Sequence, residues 1–203
     1  MLTRRTLLAS GIATAAVSLA ASPAAAQISL GRLSQYLNSV ETAEGEFTQI
    51  SENGAVSTGT VYIRRPGRVR FDYSPPDETL VMAGGGQVAV FDGRSNSNRP
   101  DQYPLSRTPL NLILRRNVNL SRGNMVVGHR QDGAQTIVTA QDPQNPEYGQ
   151  IELIFTDNPV QLRQWVITDG SGARTTVVLG DFRTGVDLPA SYFSIQSEIN
   201  RRG

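Results

Sequence analysis

The chain contains no lysine and no cysteine, and its only histidine is His129. The missing lysine excludes Schiff-base chemistry and the lysine of a P-loop, while the missing cysteine excludes thiol nucleophiles, cysteine metal sites and disulfides. A single histidine cannot form a metal site with a second histidine or cysteine. We therefore predict a fold that stands without disulfides, with no metal and no cofactor.

The sequence also has little equipment for catalysis. It holds neither a Gly-x-Ser-x-Gly nor a Ser-x-x-Lys motif, and the glycines 84–86 lack the helix and basic residue of a phosphate cradle. His129 precedes a predicted hairpin turn, so we expect it at the surface end of a strand. Converging carboxylates from Glu46, Asp72 or Glu152 stay open as an alternative, although no motif indicates them. We predict no catalytic residue and no enzymatic activity.

Charge is nearly balanced over the chain. There are 19 basic and 18 acidic residues, which gives a formal net charge of +1. A strong field of one sign is what attracts nucleic acids or other highly charged partners. We therefore expect no nucleic-acid partner.

Long apolar runs are scarce, and the one at the N-terminus has the marks of an export signal. Arg4 and Arg5 precede an uncharged apolar stretch that ends in three alanines, 24–26. The alternative, a membrane anchor, is disfavoured because the stretch is shorter than the roughly 20 residues that span a bilayer. We predict a signal peptide of the twin-arginine type over residues 1–26, cleaved after Ala26, and a single domain over residues 27–203.

What the chain does contain is short runs of strand-favouring residues separated by turn residues. Four such runs lie between Gly45 and Ala83, broken at Asn53-Gly54, Pro66-Gly67 and Pro75-Pro76. This pattern predicts an antiparallel meander of hairpins.

One arginine lies in line with the apolar face of this predicted meander. Period-two alternation places Val61, Ile63 and Arg65 on one face of the second strand. In the third strand, it places Val69, Phe71 and Tyr73 on one face. Two interpretations of Arg65 stay open. The side chain snorkels from the strand end to solvent, or its guanidinium donates to backbone carbonyls at the end of a covering helix.

Two apolar stripes predict helices that cover the sheet. The first helix is expected after Ser29 as its cap. The second, short helix is expected to start at Thr108-Pro109, with threonine as cap and proline at the first helical position. The apolar positions of the two helices are Leu30, Leu33, Leu37 and Val40, and Leu110, Ile113 and Leu114.

The rest of the chain returns to the strand pattern. Turns at Asp132-Gly133, 157–159 and 169–172 separate further short strands, and the tail around Phe193 is expected to add one more strand or edge segment. About eleven strands against two helices predict a mainly β fold, an antiparallel curved sheet or barrel with helices applied to it.

Several motifs follow one another along the chain: Phe47-Thr48-Gln49, Arg65-Pro66, Tyr73, Asp77-Glu78, the strand 88–92, Thr108-Pro109, Leu112-Ile113 and Trp165. Their order and spacing resemble the LolA family, the periplasmic carriers of outer-membrane lipoproteins. The resemblance covers nearly all of residues 27–203. It implies an incompletely closed antiparallel β-barrel whose helices form a lid over a hydrophobic cavity. The family often has a tryptophan in its fifth strand, where this chain has Ala89, and the smaller side chain either alters the cavity or is compensated by a neighbour.

The resemblance also assigns roles to residues. Arg65 matches the arginine that latches the lid through hydrogen bonds in the closed state. The lid is expected to contain Leu33 and Leu37 on one helix and Ile113 and Leu114 on the other. The predicted acyl-binding cavity is lined by Phe47, Val61, Ile63, Val69, Phe71, Val88 and Val90.

Function follows from the same resemblance. The implied protein is a periplasmic chaperone that accepts acylated lipoproteins from an inner-membrane ABC-type release complex and delivers them to an outer-membrane acceptor. Each methylene buried in an apolar environment is worth about 0.8 kcal/mol, so acyl chains leave a membrane only with an apolar shelter. We expect a monomer in the periplasm. The alternative is a periplasmic lipid-binding or sensor module on the same scaffold, since a fold does not dictate a function.

Overall fold

The computed structural model describes residues 26–95 and 99–203. The predicted signal peptide, apart from Ala26, lies outside these residues, so the export signal and its cleavage site stay predictions. Among the described residues, no helix combines the length and apolarity that crossing a bilayer requires.

In the described residues, twelve antiparallel strands form one sheet that does not close. Their spatial order is β6-β5-β4-β3-β2-β1-β11-β10-β9-β8-β7, with β12 paired to β1, so that β6 and β7 are the two edges. The predicted incompletely closed, mainly β fold is confirmed, but the short strands β6 and β12 are not predicted from the sequence pattern. The strands are β1 (Thr42–Ile50), β2 (Val56–Arg64), β3 (Arg68–Tyr73), β4 (Leu80–Gly84), β5 (Gln87–Phe91), β6 (Asp101–Pro104), β7 (Val126–Asp132), β8 (Gln135–Gln141), β9 (Gly149–Thr156), β10 (Gln161–Asp169), β11 (Arg174–Leu179) and β12 (Arg183–Thr184).

The core lies on the inner face of this sheet. Period-two alternation brings apolar side chains of every strand from β1 to β5 and from β7 to β11 to that face, where the first two helices cover them. Fully buried examples are Val61 of β2 and Leu153 of β9. The central members of the cluster are Leu33, Phe47, Val61, Val69, Phe71, Val88, Leu112, Leu153, Phe155, Trp165 and Val177.

The first two helices are α1 (Leu30–Ser39) and α2 (Asn111–Leu114). Ser29 caps α1 as predicted, because its hydroxyl oxygen accepts from the Arg32 amide at 3.3 Å. The predicted threonine cap of α2 is wrong. A 3₁₀ turn at Leu105–Arg107 precedes Thr108. The Thr108 hydroxyl donates to the Leu105 carbonyl at 2.8 Å and does not accept a hydrogen bond from a backbone amide of α2.

The predicted strand in the tail is also wrong. Residues Ala190–Phe193 form a 3₁₀ turn, and α3 (Ile195–Arg202) follows it, capped by the Ser194 hydroxyl. Ile195 and Ile199 are spaced one helical turn apart and pack on an apolar cluster on the outer face of β4 and β5. That cluster is Leu80, Met82, Ala89 and Phe91.

The position of α3 explains Ala89, where the family often has tryptophan. Ala89 is fully buried beneath α3, and its neighbour Val88 points to the opposite, inner face. The small side chain therefore accommodates the helix and does not enlarge the internal cavity.

Glu198 fixes α3 electrostatically. Its side chain is 5% exposed and receives charged hydrogen bonds from Arg201 and Arg202, the latter at 2.7 Å, while Arg70 of β3 lies 3.5 Å away. Burial alone would raise the pKa of Glu198, but the hydrogen bonds from Arg201 and Arg202 and the charge of Arg70 lower it to about 2.

We expect Glu198→Gln to lower the free energy of unfolding by about 2 kcal/mol at pH 7, because it removes the carboxylate that the buried Arg70 and the partly exposed Arg202 contact. Because the folded pKa lies below the ordinary value of 4.5, wild type should lose this stability as the pH falls from about 4.5 towards about 2. Urea unfolding at pH 7 and pH 3 measures both effects. The exposed Glu52→Gln is the control, with a change within about 0.5 kcal/mol. Equal stability of Glu198→Gln and wild type at pH 7 would contradict the prediction.

Candidate functional site

A cavity of about 510 Å³ lies against the inner face of the sheet. Its wall comes from β1, β3 to β6, β10 and β11, and the segment Thr108 to Leu110 closes one side. Exposed charged residues, Arg107, Glu147 and Asp169, mark the side that faces solvent. The apolar and aromatic residues of the wall are Phe71, Tyr73, Val81, Val88, Tyr103, Pro109, Leu110, Tyr148, Trp165, Ile167 and Val177.

Arg65 lies just beyond β2 and joins the sheet to both covering helices. Its guanidinium donates to the carbonyl of Leu37 in α1 and to the carbonyls of Arg115 and Arg116 after α2, the last at 3.2 Å. It also donates to Asn38 Oδ1 at 3.1 Å. Of the two interpretations, the second therefore describes the observed contacts: the planar group satisfies carbonyls at two helix ends.

Burial lowers the pKa of Arg65, and the negative charge of Glu41 opposes this. An arginine nevertheless stays protonated in proteins. The half-buried cation is thus stabilised by carbonyl dipoles at the C-terminal end of α1, where positive charge is favoured.

A second cavity, of about 50 Å³, lies beneath this contact. Three of the four predicted lid residues, Leu37, Ile113 and Leu114, line it together with Arg65 and Trp165. Trp165 also lines the 510 Å³ cavity, so its indole stands between the two spaces. The fourth lid residue, Leu33, is fully buried in the core on the same side of α1.

Two polar residues of α1 that sequence reasoning missed attach it to the segment after α2. Asn38 donates to the Val118 carbonyl at 2.8 Å and accepts from the Val118 amide at 2.9 Å. The Ser34 hydroxyl oxygen accepts from the Leu120 amide at 2.9 Å. Nothing in the local pattern indicates these contacts, because the partners are 80 and 86 positions apart in the chain. Together with Arg65 they make α1 and residues 114–120 a single cover.

The predicted acyl-binding residues fall into three groups. Phe71 and Val88 line the 510 Å³ cavity, and Ile63 lines the 50 Å³ cavity. Phe47, Val61 and Val69 are buried in the core cluster that supports the wall. Val90 is half-buried and lies outside the walls of both cavities. The binding of acyl chains by any of them stays a prediction.

The sequence pattern predicts His129 at the end of a strand, but it lies in the middle of β7. The β7–β8 turn starts later than the pattern indicates. Its Nε2 lies 3.0 Å from the Ile28 carbonyl and so contacts the segment that leads into α1. Among the described residues, no group of three or more histidines, aspartates and glutamates could hold a metal ion.

The candidate carboxylates are engaged separately. Asp72 of β3 forms an ion pair with Arg70 at 2.8 Å, and Glu152 of β9 lies 3.7 Å from Arg174. Glu46 is exposed on β1. The described contacts give no support to the carboxylate-pair alternative, and the absence of enzymatic activity stays a prediction.

An unclosed antiparallel barrel around an apolar cavity, with covering helices tied to the sheet by a half-buried arginine, suits a protein that shelters apolar ligands. Residues 38–196 match the family model described as outer membrane lipoprotein carrier protein LolA. The chain belongs to the LolA family, which confirms the resemblance inferred from its motifs.

Individual relatives cover most of the chain. An outer-membrane lipoprotein carrier protein from Azotobacter vinelandii is 26% identical over 190 residues, with 89% of this chain and 90% of that protein covered. The corresponding protein from Cupriavidus pinatubonensis is 24% identical, with 94% and 93% covered. Among solved structures, a LolA superfamily protein from Nitrosomonas europaea aligns with a TM-score of 0.46 at 11% identity, with 83% of this chain and 99% of that chain covered.

Proposed function

We propose that the protein is a periplasmic lipoprotein carrier that holds acyl chains in the 510 Å³ cavity. The cavity itself carries the proposal: its size falls in the range of about 300 to 1,000 Å³ typical of ligand sites, and most of its wall is apolar or aromatic. Membership of the LolA family and the names of the relatives support it.

The energetics explain why such a shelter is needed. Moving an acyl chain of about 16 carbons from a bilayer into water costs on the order of 12 kcal/mol of free energy, at about 0.8 kcal/mol per methylene. A wall that includes Phe71, Val81 and Trp165 offers the chain apolar contacts in place of those lost. The carrier then makes the transfer between membranes possible without supplying chemical catalysis.

Arg65 is the proposed latch of the closed lid. Its hydrogen bonds hold α1 and the end of α2 over the smaller cavity. An entering lipoprotein breaks these bonds and gives the acyl chains access to Leu37, Ile113 and Leu114. Apolar packing of the acyl chains against these side chains offsets the hydrogen bonds that the lid loses.

The proposed carrier acts as a monomer. It receives lipoproteins from an inner-membrane ABC-type release complex and surrenders them to an outer-membrane acceptor. These partners are inferred from the family, and the described residues provide only the binding cavity and its cover.

The test is to mix the purified mature chain, residues 27–203, with spheroplasts that contain labelled outer-membrane lipoproteins. We expect label in a soluble one-to-one complex with the carrier. Val81→Glu, which places a charge in the cavity wall, should abolish the complex, whereas Thr58→Glu on the exposed face of β2 should not. Absence of any complex with folded wild type would refute the carrier and favour a lipid-binding or sensor module.

A further inference from the structure

Two polar side chains meet in the wall of the 510 Å³ cavity. The hydroxyl of Tyr73, at the end of β3, donates to Oε1 of Gln49 in β1 at 2.6 Å. Both residues line the cavity. Because β2 lies between β1 and β3, this contact crosses an entire strand.

Gly59 of β2 makes the crossing possible. It lies opposite Phe47 on one side and opposite Tyr73 on the other. A Cβ atom at this position would lie 2.1 Å from the Asp72 carbonyl oxygen and 2.8 Å from the Phe47 ring. Without it, the rings of Phe47 and Tyr73 meet above β2 with centroids 5.0 Å apart and planes at 83°, which is a favourable edge-to-face contact.

The pair presents a donor to the cavity. Burial, together with the charge of Asp77, raises the pKa of Tyr73 to about 12, so the hydroxyl stays protonated and donates to Gln49. In the described part of the chain, the Gln49 amide nitrogen donates to no protein group, and no fully enclosed side-chain nitrogen is left unpaired. That nitrogen is therefore accessible, on a residue that lines the cavity, and its orientation is fixed by Tyr73.

An acyl ligand brings one polar group that needs such a donor. The carbonyl oxygen of an ester or amide can only accept, and burying it in an apolar cavity without a partner is unfavourable. We propose that the Gln49 amide, oriented by Tyr73, donates a hydrogen bond to the carbonyl that joins an acyl chain to the rest of the ligand. This inference rests on the proposed function, and it makes the cavity selective for acyl esters and amides over alkyl ethers.

The experiment compares two probes that differ only at their two ester carbonyls: a cysteinyl peptide with a dipalmitoylglyceryl group and the same peptide with a dihexadecyl ether. Trp165 is the only tryptophan in the chain and lines the cavity, so its fluorescence reports occupancy. Wild type should bind the ester three- to tenfold more tightly than the ether, as one net hydrogen bond allows. Gln49→Leu should bind both probes with the affinity that wild type has for the ether.

Two further variants make the assignment specific. Tyr73→Phe keeps the ring above Gly59 but leaves the Gln49 amide unoriented, so the ester preference should shrink; it also serves as the test if Gln49→Leu does not fold. Thr176→Val removes a hydroxyl from the next residue of β11, which lies outside the cavity wall, and should retain the full preference. The inference is overturned if wild type binds both probes equally, or if Thr176→Val loses the preference as Gln49→Leu does. Failure of wild type to bind either probe would overturn the carrier function as well.

Discussion

Replacing Arg65 with leucine should leave the protein folded and slow the handover of bound lipoprotein to an acceptor by about tenfold or more. The leucine keeps an apolar stem on the sheet but removes all the hydrogen bonds to Leu37, Asn38, Arg115 and Arg116. A hydrogen bond from a charged donor contributes about 1.5 to 3 kcal/mol. Losing even one such contribution changes an equilibrium about tenfold.

The direction of this effect follows from which state loses the bonds. They stabilise the lid over the smaller cavity and are absent once the lid opens around a ligand, so their removal favours the ligand-filled state. The variant should therefore accept lipoprotein and retain it. Release of labelled lipoprotein to outer-membrane vesicles, timed for each protein, measures the difference. Arg116→Leu is the matched control, because it removes a neighbouring exposed arginine but keeps the carbonyl that Arg65 contacts. Wild-type handover in Arg65→Leu would rule out the latch.

Trp165→Ala should cost about 3 to 5 kcal/mol of unfolding free energy, the usual range when a large buried aromatic is truncated. The indole is 2% exposed, packs edge-on against Phe71 with centroids 6.2 Å apart and separates the two cavities. Removing it joins them into one larger space. Because an acyl chain can then fill volume that the indole occupied, saturating lipopeptide should raise the melting temperature of the variant more than that of wild type.

Leu153→Ala separates this cavity effect from general core damage. Leu153 is the cross-strand neighbour of Trp165 on β9, is 0% exposed and lines neither cavity. Its truncation should cost about 2 to 5 kcal/mol, but lipopeptide should stabilise it no more than it stabilises wild type. Thermal unfolding with and without lipopeptide compares the three proteins. An equal ligand-induced shift in Trp165→Ala and Leu153→Ala would show that the indole does not define the ligand space.

Much of the fold is predictable because the sheet is built from local signals. Alternation sets which side chains of β2 and β3 face inward, and turn residues set where the hairpins bend. The helical spacing of Leu33 and Leu37 identifies α1, and Ser29 identifies its start. The sequence pattern predicts a strand or edge segment around Phe193 and no helix after it. Ile195 and Ile199 form only one apolar pair, too weak a pattern to indicate α3 without the apolar cluster on which the pair packs.

The candidate site was predictable only in part, for the same reason. Alternation put Arg65 in line with the inner face, but it could not say whether the guanidinium would reach solvent or carbonyls. Leu37 and Arg115 lie 28 and 50 positions away in sequence, so only the folded chain brings their carbonyls to one cation. Likewise Gln49 and Tyr73 belong to motifs of the sequence, while their contact exists because Gly59 leaves space for a ring above β2.

The sequence by itself determined most of the strands and turns, the first helix and the family, since each of these depends on neighbouring residues or on the order of motifs. The tertiary structure alone decided that α3 covers the outer face, that Arg65 ties two helix ends to the sheet, and that Trp165 divides the internal space. These features depend on groups brought together from distant positions, and such proximity arises from packing and carries no local signature in the chain.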